Sequence, residues 1–163
     1  ISNNYKSFGR DIIQRNVDNL NVYGYEVKGY AATIESLESY FKVNMELLDM
    51  ANCDDLFNAE RPIYTKVRDD MPAIYGLGSN VKNSLIADGC IIEGTVENSI
   101  LFRGVRVEKG AVVKNSIIMQ DGMISKNTSV NYVIADKSVI ITPHKTLSGA
   151  ENYQLYIGKE IVI

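Results

Sequence analysis

Several residue types that often carry chemistry are scarce in this sequence. Its 163 residues include no Trp, three Pro, two Cys and one His. Cys53 and Cys90 are widely separated and do not form a C-x-x-C pair, and His144 alone cannot complete a zinc site with them. We interpret both cysteines as buried thiols, because free Cys is among the most buried residue types. The sequence therefore predicts no metal centre built from Cys and His.

Long apolar runs and an excess of positive charge are also missing. No run of 18 apolar residues and no signal-peptide pattern occurs, so we expect a cytoplasmic protein that does not enter a membrane. The 17 basic and 20 acidic side chains give a net charge of −3, which leaves no broad positive field for nucleic acid. The overall composition is that of an ordinary globular protein. Because the chain begins with Ile1 and not Met, we expect it to be a piece of something longer.

The first part of the chain mixes helical and strand-like spacing. Apolar residues three and four positions apart predict one helix over about 7–19 and another over about 34–50, each with one face against a core. Between them, alternation over 21–28 predicts a half-buried strand. The next segment, 51–62, is polar and rich in turn-forming residues, which indicates a linker.

From residue 83 onward a short motif returns four times. It reads NSLI, NSIL, NSII and NYVI, at steps of 15, 17 and 16 residues, and begins at Asn83, Asn98, Asn115 and Asn131. An aliphatic residue follows each leading Asn by nine positions: Ile92, Val107, Ile124 and Ile140. Valine precedes the first three copies by two positions (Val81, Val96 and Val113), whereas the fourth copy has Ser129 there and Val130 beside it. Between these positions lie Gly89, Gly104 and Gly122, with Lys137 in the fourth copy.

Short strands separated by tight corners explain this period. Strands that each present one aliphatic residue inward, three per lap, predict a parallel β-helix of hexapeptide-like repeats. Each inward Ile or Val contributes roughly 1.5–3 kcal/mol when it is fully buried. Because Asn tolerates the left-handed conformation and hydrogen-bonds nearby backbone, the four Asn residues predict a ladder along one edge of the coil.

The ordered segments of the chain resemble a known enzyme family. The stretches VKNSLIADGCIIEG (81–94), NSILFRGVRVEKGAVVKNSIIMQ (98–120) and RPIYTK (61–66) are similar to the C-terminal domain of bacterial glucose-1-phosphate adenylyltransferase, also called ADP-glucose pyrophosphorylase. FGRDIIQ (8–14) and GYAATIESLESYFKVNMELL (29–48) resemble the closing elements of that family's nucleotidyltransferase domain. The resemblance covers nearly the whole chain.

This resemblance implies a mainly β fold. We expect a left-handed parallel β-helix of hexapeptide repeats, preceded by a short α/β segment from the end of a nucleotidyltransferase domain. The left hand is carried by the resemblance alone, since general crossover rules favour right-handed connections. The implied domains are closing α/β elements of a nucleotidyltransferase-like domain (1–52), a linker and entry strand (53–80), and the left-handed β-helix domain with a C-terminal cap (81–163).

The family joins glucose 1-phosphate to ATP, releasing pyrophosphate and ADP-glucose for glycogen synthesis. Metal and basic side chains stabilise charge on the transferring phosphate. The family's Gly-rich nucleotide loop and sugar-phosphate residues lie upstream of anything present here. The resemblance therefore implies that this chain contains no catalytic residue and binds no cofactor, so we expect it to be inactive alone. It also implies that a catalytic partner would use Mg²⁺.

One departure from the family pattern is informative. Catalytic members carry Gly-Tyr-Trp-x-Asp-Val-Gly-Thr where this chain has residues 29–36, so the metal-binding aspartate falls on Thr33 and the tryptophan on Ala31. A threonine hydroxyl is a poor substitute for a carboxylate at Mg²⁺. These substitutions resemble the GlgD-type regulatory subunit, and imply assembly with a GlgC-type catalytic subunit into a heterotetramer whose activity it raises.

Four basic residues are candidates for binding a small phosphorylated activator, which in the family binds near the junction of the two domains. They are Arg103, Arg106, Lys145 and Lys159.

Other functions remain open. A hexapeptide acyltransferase would need a histidine at a subunit interface, but His144 follows the last repeat; a γ-class carbonic anhydrase needs several zinc-binding histidines. A purely structural assembly module, or self-association, is a further alternative.

Overall fold

The computed structural model describes residues 4–65 and 67–163. Residues 1–3 and Lys66, which the sequence analysis assigns to the first segment and to the linker, lie outside the described residues. A π-helical segment (Phe8–Gln14) comes first, followed by α1 (Leu37–Glu46) and α2 (Met50–Leu56).

Beyond the helices, the fold consists of short strands. In chain order they are β1 (Ile74–Tyr75), β2 (Asn80–Lys82), β3 (Leu85–Ile86), β4 (Ile91–Ile92), β5 (Thr95–Glu97), β6 (Ile100–Leu101), β7 (Arg106–Val107), β8 (Val112–Lys114), β9 (Ile117–Ile118), β10 (Met123–Ile124), β11 (Ser129–Asn131), β12 (Val133–Ala135), β13 (Ile140–Ile141), β14 (Thr146–Ser148) and β15 (Leu155–Ile157).

These strands wind into a parallel β-helix, which confirms the predicted fold. Sheet 1 contains β1, β4, β7, β10 and β13; sheet 2 contains β2, β5, β8, β11 and β14; sheet 3 contains β3, β6, β9, β12 and β15. Each lap gives one strand to each sheet, and every strand pairs in parallel with the strands of the laps before and after it.

Aliphatic columns fill the interior of the coil. In sheet 1, for example, the register aligns Ile92, Val107, Ile124 and Ile141, and each is at most 1% exposed. Matching columns in sheets 2 and 3 contain Val96, Val113, Val130, Leu101, Ile118, Ala135 and Ile157. The predicted inward position of Val107 is therefore confirmed.

The repeated Asn-Ser pair forms the corner between sheets 2 and 3. Asn83, Asn98 and Asn115 are left-handed, with φ of 42°, 47° and 43°. Their side-chain amides form the predicted ladder: Asn83 Nδ2 donates to Asn98 Oδ1 (2.8 Å), Asn98 Nδ2 to Asn115 Oδ1 (3.4 Å), and Asn115 Nδ2 to Asn131 Oδ1 (2.9 Å).

The serines make a second ladder inside the first. Ser99 N–H donates to Ser84 Oγ, and Ser116 N–H donates to Ser99 Oγ, each at 3.1 Å. Ser99 and Ser116 are fully buried. Each buried hydroxyl therefore accepts from the next lap while donating to a carbonyl of its own lap, which satisfies both polar functions.

The predicted register of the fourth copy was wrong by one residue. Asn131 pairs with Lys114, so Tyr132, with φ of 51°, occupies the left-handed corner position. Consequently the inward residue of sheet 1 is Ile141 and not Ile140, which is 36% exposed, and Val130 continues the column of Val113. The pattern is unbroken because this lap is one residue longer than the Asn spacing suggests.

At the corner between sheets 3 and 1, the predicted positions of Gly89 and Gly104 are confirmed, whereas those of Gly122 and Lys137 were wrong by one residue. The left-handed residues there are Gly89, Gly104, Asp121, Ser138 and Glu160. Gly122 and Lys137 therefore precede or follow the corner and do not form it. An aspartate or serine can replace glycine here because short polar side chains tolerate the left-handed region better than bulky ones do.

The structure differs from the sequence expectations before the coil. The first helix is confined to Phe8–Gln14, and residues 21–28 are exposed and form no strand. A lone strand has no stability without a neighbour to pair with, and none of the described residues supplies one.

The second predicted helix, over about 34–50, is confirmed in its central part as α1 (Leu37–Glu46). Ser36 and Ser39 form a capping box that starts α1 at Leu37, and Asp49 caps α2 by accepting from Ala51 N–H. A new helix therefore begins where the polar composition indicated a linker. The composition of α2 resembles a loop because its sequence, MANCDDL, buries no residue.

The coil also extends further than the repeat suggested. Strands β13 to β15 complete a lap that contains an inserted turn at 149–154, so His144 lies within the coil, at a left-handed corner (φ 63°). The final residues return to sheet 1, where Ile140 bridges Val162 and Ile163 packs against the core.

Candidate functional site

Helix α1 is attached to the outer surface of sheet 3. Phe41, which is 7% exposed, packs in one cluster with Ile117 and Ile134, both fully buried. The Phe41 ring also faces Tyr132, with ring centroids 6.2 Å apart and an interplanar angle of 51°. Helix α1 therefore covers apolar side chains, Ile117 and Ile134, on the outer face of sheet 3.

Polar contacts in the last two laps of the coil involve Asp136 and Tyr156. Tyr156 in β15 donates its hydroxyl to Asp136 Oδ2 (3.0 Å), which raises the pKa of Tyr156. Burial, and next the nearby charge of Asp136, raise the pKa of Tyr40 in α1. The hydrogen bond from Tyr156 to Asp136 therefore joins the last two laps of the coil.

The segment before α1 is held by both helices. Tyr30 donates its hydroxyl to Glu46 Oε2 (2.8 Å), and its backbone N–H donates to Asp55 Oδ2. Burial, followed by the bond to Glu46, raises the pKa of Tyr30. Gly29 has φ of 109° and would place a Cβ against the Asp55 carboxylate, so the position requires glycine. The helices therefore fix the chain three residues before Thr33.

A cleft of about 530 Å³ lies between the helices and the first laps of the coil, next to β3 and β6 of sheet 3. Its wall is mainly apolar, and polar groups come from the helix and from two corners of the coil. The lining comprises Asn44, Leu47, Phe57, Leu85, Ile86, Ala87, Ile100, Leu101, Phe102, Arg103 and Gln120. An apolar floor with a few polar groups is the common form of a small-molecule site.

The structure does not bring the four basic candidates together. Arg103 lines the cleft, whereas Arg106 is exposed on the outer face of sheet 1. Lys145 is exposed next to the corner at His144, and Lys159 forms an ion pair with its neighbour Glu160 (3.0 Å). Arg103 is thus the candidate whose surroundings suit a ligand.

Sequence reasoning missed the other polar groups of the cleft. The sequence gives no signal that Asn44 and Gln120 would meet, because they come from a helix and from a corner that share no sequence period.

Thr33 is exposed. Within 4–65 and 67–163, no three His, Cys, Asp or Glu side chains are grouped so that they could hold a metal ion. In the same residues, no helix has the length and apolar character that crossing a membrane requires.

Comparison with known proteins identifies relatives of this fold. Residues 74–153 match the family described as GlmU-like, C-terminal hexapeptide. The glycogen biosynthesis protein GlgD of Bacillus subtilis is 42% identical over 158 residues, which is 97% of this chain and 46% of the relative. The chain belongs to the GlgD and glucose-1-phosphate adenylyltransferase family.

Other members of the family match shorter parts or match less closely. GlgD of Geobacillus stearothermophilus is 60% identical over 70 residues, 43% of this chain and 20% of the relative. The glucose-1-phosphate adenylyltransferase of Fervidobacterium nodosum is 35% identical over 134 residues, 82% of this chain and 32% of the relative. The chain spans less than half the length of these relatives.

Proposed function

We propose that this chain acts in glycogen biosynthesis as part of a GlgD-type regulatory subunit that assembles with a glucose-1-phosphate adenylyltransferase in the cytoplasm. The observation that carries the proposal is the 42% identity to a GlgD protein across 97% of the chain. Identities to adenylyltransferases over comparable lengths are lower, at 31% over 157 residues for Clostridium perfringens and 35% over 134 residues for Fervidobacterium nodosum.

The architecture supports a role in assembly. A coil with continuous aliphatic columns is a rigid body, and α1 fixes it to the segment that precedes the coil. Thr33 supports a role without catalysis, since the position that corresponds to the family's metal-binding aspartate has no carboxylate. Mg²⁺ and the transfer chemistry would then belong to the adenylyltransferase partner.

Light scattering tests the assembly part of the proposal. The protein, the Geobacillus stearothermophilus adenylyltransferase and their mixture are compared by size-exclusion chromatography with light scattering. We expect the mixture to give a species containing both chains, with a mass consistent with a heterotetramer. Separate elution of the two chains at micromolar concentration would refute it.

We also propose that a phosphorylated activator contacts Arg103 in the cleft. A guanidinium group binds phosphate in a bidentate manner, and the apolar wall would cover the rest of the ligand. In the mixed complex, Arg103→Ala should abolish the response to fructose 1,6-bisphosphate as a probe. Lys145→Ala, on a different corner, is the matched control. An unchanged response in Arg103→Ala would exclude this residue.

A further inference from the structure

Helix α1 shows how this coil binds a helix on one of its outer faces. The outward row of sheet 3 aligns Leu85, Ile100, Ile117, Ile134 and Tyr156. The first turn of α1 lies beside Tyr156 in the last lap, and Phe41 packs on the middle of the row. Leu47, at the other end of the helix, lines the cleft together with Leu85 of the first lap. The helix therefore runs along the coil, from lap to lap, over an apolar row.

Sheet 1 carries a second outer row that is mainly apolar. The register aligns Ile74, Ile91, Arg106, Met123, Ile140 and Val162, in that order along the coil. Ile74 is 50% exposed and Val162 is 63% exposed, whereas Ile117 and Ile134 beneath α1 are fully buried. In the part of the chain that the structure describes, the row of sheet 1 therefore lacks the cover that α1 gives to sheet 3.

Charged side chains mark the middle of the same face. Arg106 lies in the row itself, and Glu93 and Glu108 lie on neighbouring laps in the parallel row, two residues further along each strand. Lys109 and Lys126 follow on the adjoining corner, where Lys126 N–H donates to Glu108 Oε2 (2.9 Å). None of these five side chains forms an ion pair with another described residue. A partner that covers the row should therefore bring an acid to Arg106 and a base to the two glutamates.

We propose that this face binds an amphipathic helix of a partner protein, which lies along the coil as α1 does on sheet 3. Successive laps are about 4.8 Å apart, and side chains on one face of a helix recur about every 5.4 Å, so one apolar stripe can follow the row. From Ile74 to Val162 the row spans about 24 Å, which is the length of about 16 helical residues. The helix carries an acid near its centre for Arg106 and a base on one flank for Glu93 and Glu108.

A second copy of this chain does not supply such a helix. Within 4–65 and 67–163, α1 already packs on sheet 3, and the π-helical segment and α2 have only seven residues each. The helix therefore comes from another protein. The inference rests on the proposed function, under which that protein is the adenylyltransferase. Because one helix covers less than the roughly 800 Å² per partner of a typical stable interface, this face is one part of a larger contact.

Photo-crosslinking from two points of the row tests the proposal. Benzoylphenylalanine replaces Ile74 or Ile140, and each variant is irradiated in a mixture with the Geobacillus stearothermophilus adenylyltransferase. The two positions are four laps apart, about 19 Å, so the crosslinks should fall on one helix of the adenylyltransferase, about 13 residues apart. The same probe at Thr146, which is exposed on sheet 2 in the lap of Ile140, is the matched control and should not label that helix.

Binding measurements with single variants test the chemistry of the face. Arg106→Glu and Met123→Glu should each weaken binding to the adenylyltransferase by more than about tenfold, since one reverses the central charge and the other buries an acid against an apolar stripe. Val112→Glu introduces the same acid at an outward, half-buried position on sheet 2 and should leave the affinity unchanged. The thermal melt of each variant is recorded first, so that a loss of binding is not a loss of folding.

The outcomes separate this inference from the proposed function. A wild-type complex whose crosslinks fall on separate or non-helical segments, or whose affinity is unchanged in Arg106→Glu and Met123→Glu, would overturn the inference and leave the proposed assembly intact. Crosslinks between two copies of this chain would overturn it in favour of self-association. Absence of any complex with the wild-type chain would refute the proposed function, and the inference with it.

Discussion

Phe41 of α1 packs against Tyr132, which takes the left-handed position of the Asn corner where the three preceding laps have Asn83, Asn98 and Asn115. A bulky residue is unfavourable at φ of 51°, so the corner accepts strain at the lap where the helix is attached. The departure from the repeat and the attachment of the helix are therefore one structural feature.

Truncating Phe41 tests this attachment. Phe41→Ala removes a ring that is 93% buried, and we expect a loss of about 3–5 kcal/mol in the free energy of unfolding of the α1 region. Hydrogen exchange should show α1 opening while the coil stays protected. Phe8→Ala, at a ring that is 70% exposed, is the control and should change little. Equal protection of α1 in Phe41→Ala and the wild type would contradict the account.

The register of the fourth lap gives a second prediction. Ile141 is fully buried and its neighbour Ile140 is 36% exposed. Ile141→Ala should lower the free energy of unfolding by about 2–5 kcal/mol, and Ile140→Ala by less than about 1 kcal/mol. Urea unfolding followed by circular dichroism measures both. A larger effect at Ile140 would restore the register that the Asn spacing suggested.

The Asn ladder gives a third prediction. Asn115 is left-handed and its amide bonds two neighbouring laps. Asn115→Ala should cost about 1–3 kcal/mol, and Asn115→Gly should be the more stable of the two because glycine accepts φ of 43° without strain. The same substitutions at exposed Asn152, whose φ is not positive, should favour alanine. An alanine variant more stable than the glycine variant at position 115 would count against left-handed strain there.

The Glu97–Lys114 pair predicts a pH dependence. The hydrogen bond and then the charge of Lys114 lower the pKa of Glu97 from its ordinary value of 4.5. A lowered pKa means that the ionised form stabilises the fold above pH 4.5 and that this contribution disappears as the pH falls through the lowered pKa. The pair is exposed enough that its effect on stability is small.

An NMR titration of the Glu97 carboxyl measures this shift directly. Lys114→Met should return the pKa towards its ordinary value, and added salt should have the same direction of effect on the wild type. Lys145→Met, on a different corner, should leave the titration unchanged. A Glu97 pKa that does not respond to Lys114→Met would show that another group causes the shift.

The sequence predicted the coil because its period is visible in individual residues. Val107, Ile92 and Ile124 each carry the inward signal, and the left-handed Asn residues carry the corner signal. The predicted register of the fourth lap was wrong because the sequence motif begins at Asn131, whereas the left-handed corner residue is Tyr132. Only the pairing of strands reveals this difference.

The region before the coil and the cleft were less predictable for different reasons. The alternation over 21–28 predicted a half-buried strand, but these residues are exposed and no described strand pairs with them. The start of α2 depends on one cap, Asp49, within a polar stretch. The cleft brings together Asn44, Arg103 and Gln120, which come from three distant segments, and nothing in their local sequence links them.

The proposed function is that this chain works through a partner, and pyrophosphate release tests this proposal most directly. The protein, the Geobacillus stearothermophilus adenylyltransferase and their equimolar mixture are each given ATP, glucose 1-phosphate and Mg²⁺. The account predicts little release from the protein alone and a higher rate from the mixture than from the adenylyltransferase alone. Robust turnover by the protein alone, or a mixture no faster than the adenylyltransferase, would contradict it.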